Sequence, residues 1–524
     1  MRGLGLALLA AASFLLVACG GLSDEDRRAA EEHHSAALSL LDEELAEEAV
    51  AEFDLAIGID IEQAEYYIGR AAAYNDLGMY RRSIEDLERA GELEGETADV
   101  HIGIGNAHIS LGEYRNAIRQ YDAAIALKTD DAGLFNNRGN AYAKLRDYER
   151  AVKDYDISIG LDDTQGKVFT NRGAALGEIG LLRDALRDFA EAIQLDPEDA
   201  VAFFNRGAAY SKLGSFEVAY RHLEEAARLD PDNTDFLISR GDTYTELGLL
   251  RESVTAFGDA INLDPENAQN YVDRAGALFT LQEYQRTVND YDKALEIVPD
   301  VARVHVDRGS AYAELREFER AIEDYDRAIE IEPSDPRAYF KRGTAYFHLG
   351  THADLLKAVE SYDMSIELAP EIAELYIERG ASYDRLGSLE SAIEDYDKAV
   401  ELDPENARGF TDRGIALARS GQPERAIQDY DVAIKLDPVD GRIFANRGIA
   451  YMVLGDYETA LKDHDAAVRL NPFHPLGFIN RAIAHKALGS DEEAQLDMDK
   501  AIELGYDPDR LAGDIEAALQ QLGE

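Results

Sequence analysis

Residues 200–233 read AVAFFNRGAAYSKLGSFEVAYRHLEEAARLDPDN, and this stretch decides the architecture. With Ala200 as position 1, aromatic or small residues fall at positions 4, 8 and 11 (Phe203, Gly207, Tyr210). That spacing predicts one buried face of a helix. A second face follows at positions 20, 24 and 27 (Ala219, Leu223, Ala226). Gly214 breaks the chain between the two, and Asp230-Pro231 closes the second. The stretch is therefore expected to form two short antiparallel helices.

The same stretch recurs along the chain. Arg138, Arg172, Arg206, Arg240, Arg274, Arg308 and Arg342 are spaced 34 residues apart, and after a three-residue insertion the series resumes at Arg379, Arg413, Arg447 and Arg481. Counted from Ala30, the period fits fourteen repeats ending near Pro508, followed by a segment from Asp509 to Glu524. Position 20 is Ala, Ser or Thr and position 27 is Ala or Ser in every repeat. Helix axes that approach closely have no room for larger side chains. Nine repeats carry Pro at position 32, from Pro197 to Pro472, whereas the first four have Ile61, Gly95, Thr129 and Asp163 there, which makes their connecting turns harder to read.

This small-Gly-Tyr-Ala-aromatic-Ala-Pro pattern, repeated from Ala30 to Pro508, closely resembles the tetratricopeptide repeat family. The resemblance implies an all-α, right-handed α-α superhelix, a solenoid of about fourteen 34-residue helix hairpins. The expected organisation is a signal segment over 1–18, a lipidated N-terminus and short linker over 19–29, the solenoid over 30–508 and a C-terminal capping helix over 509–524. Each hairpin buries its face against its neighbours, so one continuous elongated core is expected.

Residues 1–19 have the composition of a targeting segment. Arg2 precedes an apolar run from Leu4 to Val17, too short to favour a stable membrane span. The run ends in Leu16-Val17-Ala18-Cys19-Gly20, which looks like the lipobox of bacterial lipoproteins, where the Cys thiol is acylated and becomes the first mature residue. An ordinary secretory signal with an incidental Cys is the alternative. Cys19 is the single cysteine, so no intramolecular disulfide can form. Ser23, followed by Asp24, Glu25 and Asp26, marks a helix start a few residues further on. Gly20 after the Cys points to the outer membrane of a Gram-negative envelope, and otherwise to the outer face of the cytoplasmic membrane.

The net charge of −51 argues against nucleic acid as a partner. There is no nucleophile–base arrangement, phosphate loop or metal motif, and no cofactor is expected. His33, His101 and His305 at position 4, His108 and His485 at position 11, and His464 at position 24 occupy aromatic core slots, so packing rather than metal binding explains them. No non-repeating segment is long enough to house a catalytic domain, so the chain is expected not to be an enzyme and to have no small-molecule substrate.

Position 7 is Arg in twelve repeats, with Ala36 and Ile104 as exceptions, and Asp recurs at position 25, as in Asp156, Asp292, Asp326, Asp397 and Asp431. A structural ladder of Arg heads meeting second-helix acids is the simpler reading, ligand binding the other. Asp122 does not fit easily, because its own repeat carries Ile104.

In the family, positions 2, 5, 6, 9, 12 and 13 of the first helices face the ligand groove. On this chain they form two zones. In repeats three to six they include Asn106, Asn136, Asn137, Asn140, Asn171 and Asn205, with Asn137, Asn171 and Asn205 as a column at position 6. This resembles the asparagine ladder by which some superhelical repeats hold extended peptide: a primary amide can donate to a peptide C=O and accept from its N–H together. Tolerance of Asn at exposed positions is the alternative. In repeats nine to thirteen the positions turn basic. Arg303, Arg337, Arg408 and Arg442 share position 2, joined by Lys341, Arg385 and Arg419. Such a lining would attract an acidic peptide segment, unless it is spent on pairing with nearby Glu and Asp. The resulting expectation is a lipid-anchored adaptor that binds other proteins through extended or acidic peptide segments. The alternatives are an assembly factor for a pilus or secretion system, and a passive spacer.

Overall fold

The computed structural model describes residues 22–523. Among them are 29 helices and no strand. The chain divides into two compact units, one ending at Leu263 and the other beginning at Asp264. Each contains seven of the fourteen helix pairs.

Repeat four shows how the hairpin closes. Its first helix spans Ala132–Lys144 and its second Tyr148–Leu161. Gly139 lies against the Tyr155 ring, where an added Cβ would stand 2.7 Å from Cε1. Tyr155 is 1 % exposed. The Gly at position 8 is thus the seat for the ring at position 24, and the pair recurs as Gly173 with Phe189 and Gly309 with Tyr325. Ala151, at position 20, is fully buried. Between the helices, position 15 takes a left-handed φ in every repeat. Ten repeats use Gly there, while Glu44, Arg146, Gln282 and Arg316 take it at φ of 60–62°, a conformation that costs a non-glycine residue about 1 kcal/mol.

The first helix begins at Asp24, so residues 24–29, read from sequence as linker, are helical. Ser23 caps it: its hydroxyl accepts from the Asp26 N–H while the Asp26 carboxylate reaches back to the Ser23 N–H. Three of the four proline-free connections close at the same place as the rest, while in repeat two the second helix runs one residue further, to Glu94, and ends on Gly95 at positive φ. Asp60 and Asp162 accept from backbone N–H groups two residues on, as Asp196 does beside Pro197. The three-residue insertion lengthens one second helix to 17 residues, His352–Leu368, capped by Thr351. Glycine-to-ring packing is unchanged across it, at Gly343 with Tyr362, and on either side, at Gly309 with Tyr325 and Gly380 with Tyr396. The last helix, Pro508–Gly523, buries Leu511 and Ile515 in a cluster with Phe478 and Ala501. Cys19 and the apolar run before it lie outside the described residues.

Candidate functional site

The position-7 arginines form a ladder with two carboxylate rails. Arg138 donates from Nε and Nη2 to the two oxygens of Asp154, at 2.7 and 2.6 Å. Its Nη1 reaches back 2.7 Å to Asp122 of the preceding repeat. The same three bonds recur at Arg70, Arg172, Arg308, Arg379, Arg413, Arg447 and Arg481. Asp122 therefore belongs with the arginine that follows it, which resolves its mismatch with Ile104. The bidentate partner at position 23 was not singled out from the sequence, although nine repeats carry Asp there. Its fixed offset of sixteen residues from the Arg was the available signal. Asp154 is 4 % exposed, so these carboxylates are structural and closed to ligands. In repeat ten Ser361 takes the place of the buried carboxylate and accepts from Arg342 Nε at 3.1 Å, whereas in two adjacent repeats the rung has no replacement. Position 23 is His222 and Ala256 there, and the Nε atoms of Arg206 and Arg240 are buried without a hydrogen-bond partner.

The asparagines lie on the first-helix face of the first unit. A cavity of about 520 Å³ opens over repeats three to six. Asn140, Asn171 and Asn205 line it together with the small residues Ala174, Ala175, Gly177, Ala208 and Ala209, the larger Tyr148, Tyr155, Leu182 and Phe189, and the charged Lys144, Lys212 and Glu178. Asn106, Asn136 and Asn137 do not line it, so the face gathers three of the six asparagines expected. Their roles also differ. Asn106 and Asn140 accept from the hydroxyls of Tyr121 and Tyr155, at 2.7 and 2.8 Å. Burial pushes both phenols well above the ordinary tyrosine range, so they remain donors. Each bond fixes its amide with the carbonyl inward and leaves the NH₂ to face outward. Asn171 donates 3.2 Å to Asn136 of the preceding repeat. Asn137 and Asn205 have no hydrogen-bond partner among the described residues.

Five arginines of the expected cationic zone are internally paired, while Arg385 donates to the Phe347 carbonyl. Arg303 is 3.6 Å from Asp307. Arg337 and Arg442 bind Asp335 and Asp440, which also cap their helices. Arg408 reaches Glu374 and Glu378 at 2.8 Å each, and Arg419 reaches Asp384. Lys341 contributes a positive field at Asp307. The reading from position 2 alone missed position 6, where this unit carries Asp273, Asp307, Glu378 and Asp412. Burial, reinforced by Glu378 and Asp384 against the opposing Arg408, pushes the Asp412 carboxyl up to about 6. The face is one of compensated charge, not a bare basic lining.

Fold and ladder together define an array of helix hairpins stacked on a fixed repeat. Sequence profiles described as tetratricopeptide or TPR repeats match residues 105–145, 132–165, 200–233, 234–267, 309–350, 373–406 and 411–475. The chain belongs to the tetratricopeptide repeat family, whose arrays act as protein–protein interaction scaffolds and are typically non-catalytic. Among solved structures, it is similar to MamA at 27 % identity, over 32 % of this chain and 95 % of that one, with a TM-score of 0.30. It is also similar to YrrB, titled a TPR protein with an unusual peptide-binding site, at 25 % identity over 35 % and 94 %, with a TM-score of 0.31. Yeast Tom70 matches at 17 % identity over 76 % and 96 %, with a TM-score of 0.36. No curated protein matches the chain.

Proposed function

We propose that this protein is a non-enzymatic scaffold that grips extended peptide segments of other proteins on the first-helix face of repeats three to six, and that Cys19 anchors it to the bacterial envelope. The carrying observation is the set of Asn140, Asn171 and Asn205 around a cavity whose lining includes Ala174, Ala175, Gly177, Ala208 and Ala209. Alanine and glycine let a peptide backbone come close, and amides supply both a donor and an acceptor to it. Such contacts bind main chain with little regard for its sequence. The ion pairs of the second unit favour this amide-lined surface over an acidic-segment site. The anchor rests on the Leu16–Gly20 sequence alone, and with it the outer membrane as location.

The test uses a peptide selected from a random display library against the full chain. Asn171→Ala with Asn205→Ala removes up to four hydrogen bonds, each contributing about 1 kcal/mol. Calorimetry should show binding weakened by roughly five- to a thousandfold, with little dependence on salt. Asn137→Ala, outside the cavity, should bind as wild type does. Unchanged affinity in the double variant would remove the basis of this assignment.

A further inference from the structure

Repeat thirteen departs from the others at its ring seat. Position 24 is His464, 1 % exposed, packed so tightly beneath Gly448 that a Cβ there would stand 2.6 Å from its Cε1. Where this slot holds Tyr, its hydroxyl can find a partner at position 9: Tyr121 bonds Asn106, Tyr155 bonds Asn140, and Tyr362 bonds Thr344. In repeat thirteen position 9 is Ile449. Both nitrogens of His464 are buried without a hydrogen-bond partner. A buried unsatisfied polar group costs about 1–3 kcal/mol, and nothing within the fold returns that cost.

The imidazole lines a cavity of about 240 Å³. The walls are Ile449, Met452 and Val453 from repeat thirteen, Asn480 and Ile483 from repeat fourteen, and Ala518, Gln521 and Leu522 from the terminal helix. A dry cavity of about 150 Å³ takes up benzene, so this one has room for a six-membered ring with a small substituent. Its walls are chiefly aliphatic and would strip an ionic ligand of water without compensation. Burial holds His464 down at about 4, so the ring is neutral at neutral pH, with one accepting nitrogen and one N–H. A hydroxyl can donate to the first or accept from the second.

We propose that this cavity binds a small, neutral, ring-sized apolar molecule bearing one hydroxyl, which hydrogen-bonds to the His464 imidazole. This site is separate from the peptide face of the first unit.

The probes are phenol and toluene, titrated into the full chain by calorimetry, with the His464 ring followed by NMR. Phenol should bind saturably, one per chain, and shift the His464 resonances along the same curve. Toluene, which lacks the hydroxyl, should bind roughly threefold to tenfold more weakly. His464→Phe should abolish that preference. Phe occupies the same slot at Phe189 and Phe257, so the variant is expected to fold. If it does not fold, the wild-type phenol and toluene curves and the His464 shift decide the matter. Non-saturating heats, an unmoved His464 resonance, or equal affinity for the two probes in wild type would each overturn the proposal.

Discussion

Replacing Asp154 by Ala removes one rung of the ladder on its buried side. Arg138 then loses both bonds from Nε and Nη2 and keeps Asp122. Breaking a buried ion pair by deleting one partner costs about 3–5 kcal/mol, because the remaining charge is left desolvated. The Arg138 side chain is 18 % exposed, so some water reaches it and the lower end, about 3 kcal/mol, is expected. Asp122→Ala is the control. Its side chain is 51 % exposed, and pairs of that kind contribute about 0–1 kcal/mol. Repeat three supplies the second control, since it has Ile104 and Gln120 where others have Arg and Asp. Arg138→Ile with Asp154→Gln copies that natural solution and should recover most of the loss. Urea unfolding gives the energies, and hydrogen exchange shows whether the damage stays within repeats three to five, as nearest-neighbour coupling requires. If Asp154→Ala costs no more than Asp122→Ala, or the double replacement is worse than the single one, the buried rung is not what holds the repeats in register.

Three further outcomes follow from particular residues. Ala256→Asp should give Arg240 its missing bidentate partner and raise stability by about 1–2 kcal/mol; a loss measured by urea unfolding would show that the slot cannot take a carboxylate. Ala219→Leu puts bulk at a fully buried close approach and should cost about 1–3 kcal/mol, with unfolding that begins in repeat six; a single cooperative transition identical to wild type would contradict it. Asp412→Asn should change how stability depends on pH. A carboxyl raised to about 6 in the fold contributes stability below its unfolded value near 4 and loses that contribution as pH rises through 6. The variant should therefore match wild type at pH 4 and exceed it at pH 8 by up to about 3 kcal/mol; equal stability at both would mean that Arg408 fully compensates the charge.

Much of the fold was legible because each structural demand repeats every 34 residues. The small residues at positions 8, 20 and 27 declared where helices touch, and the Ser23 cap was readable in place. The buried Asp at position 23 was hidden by abundance: with 104 acidic residues in the chain, one more column of Asp carries little contrast. The Asp122 puzzle arose because sequence bookkeeping keeps a residue with its own repeat, whereas the Arg138 fork spans two. The basic zone misled for a related reason. Arg337 and Arg442 sit at the start of helices whose capping aspartates, Asp335 and Asp440, turn back onto them. The asparagine column was visible as spacing, but only coordinates distinguish Asn171 and Asn205, which line the cavity, from Asn137, which does not. His464 looked like a routine core substitution, because its lost partner at position 9 and the terminal helix beside it lie elsewhere in the sequence.

The central claim is that the cavity face of repeats three to six is where peptide is held. The most direct measurement is photo-crosslinking from a benzophenone side chain placed in turn at Ala174, on that face, and at Arg187, 79 % exposed on a second helix, with a library-selected peptide added to the full chain. The account predicts a crosslinked product from position 174 that unlabelled peptide competes away, and none from position 187. A product from 187 alone, or equal products from both, would contradict it.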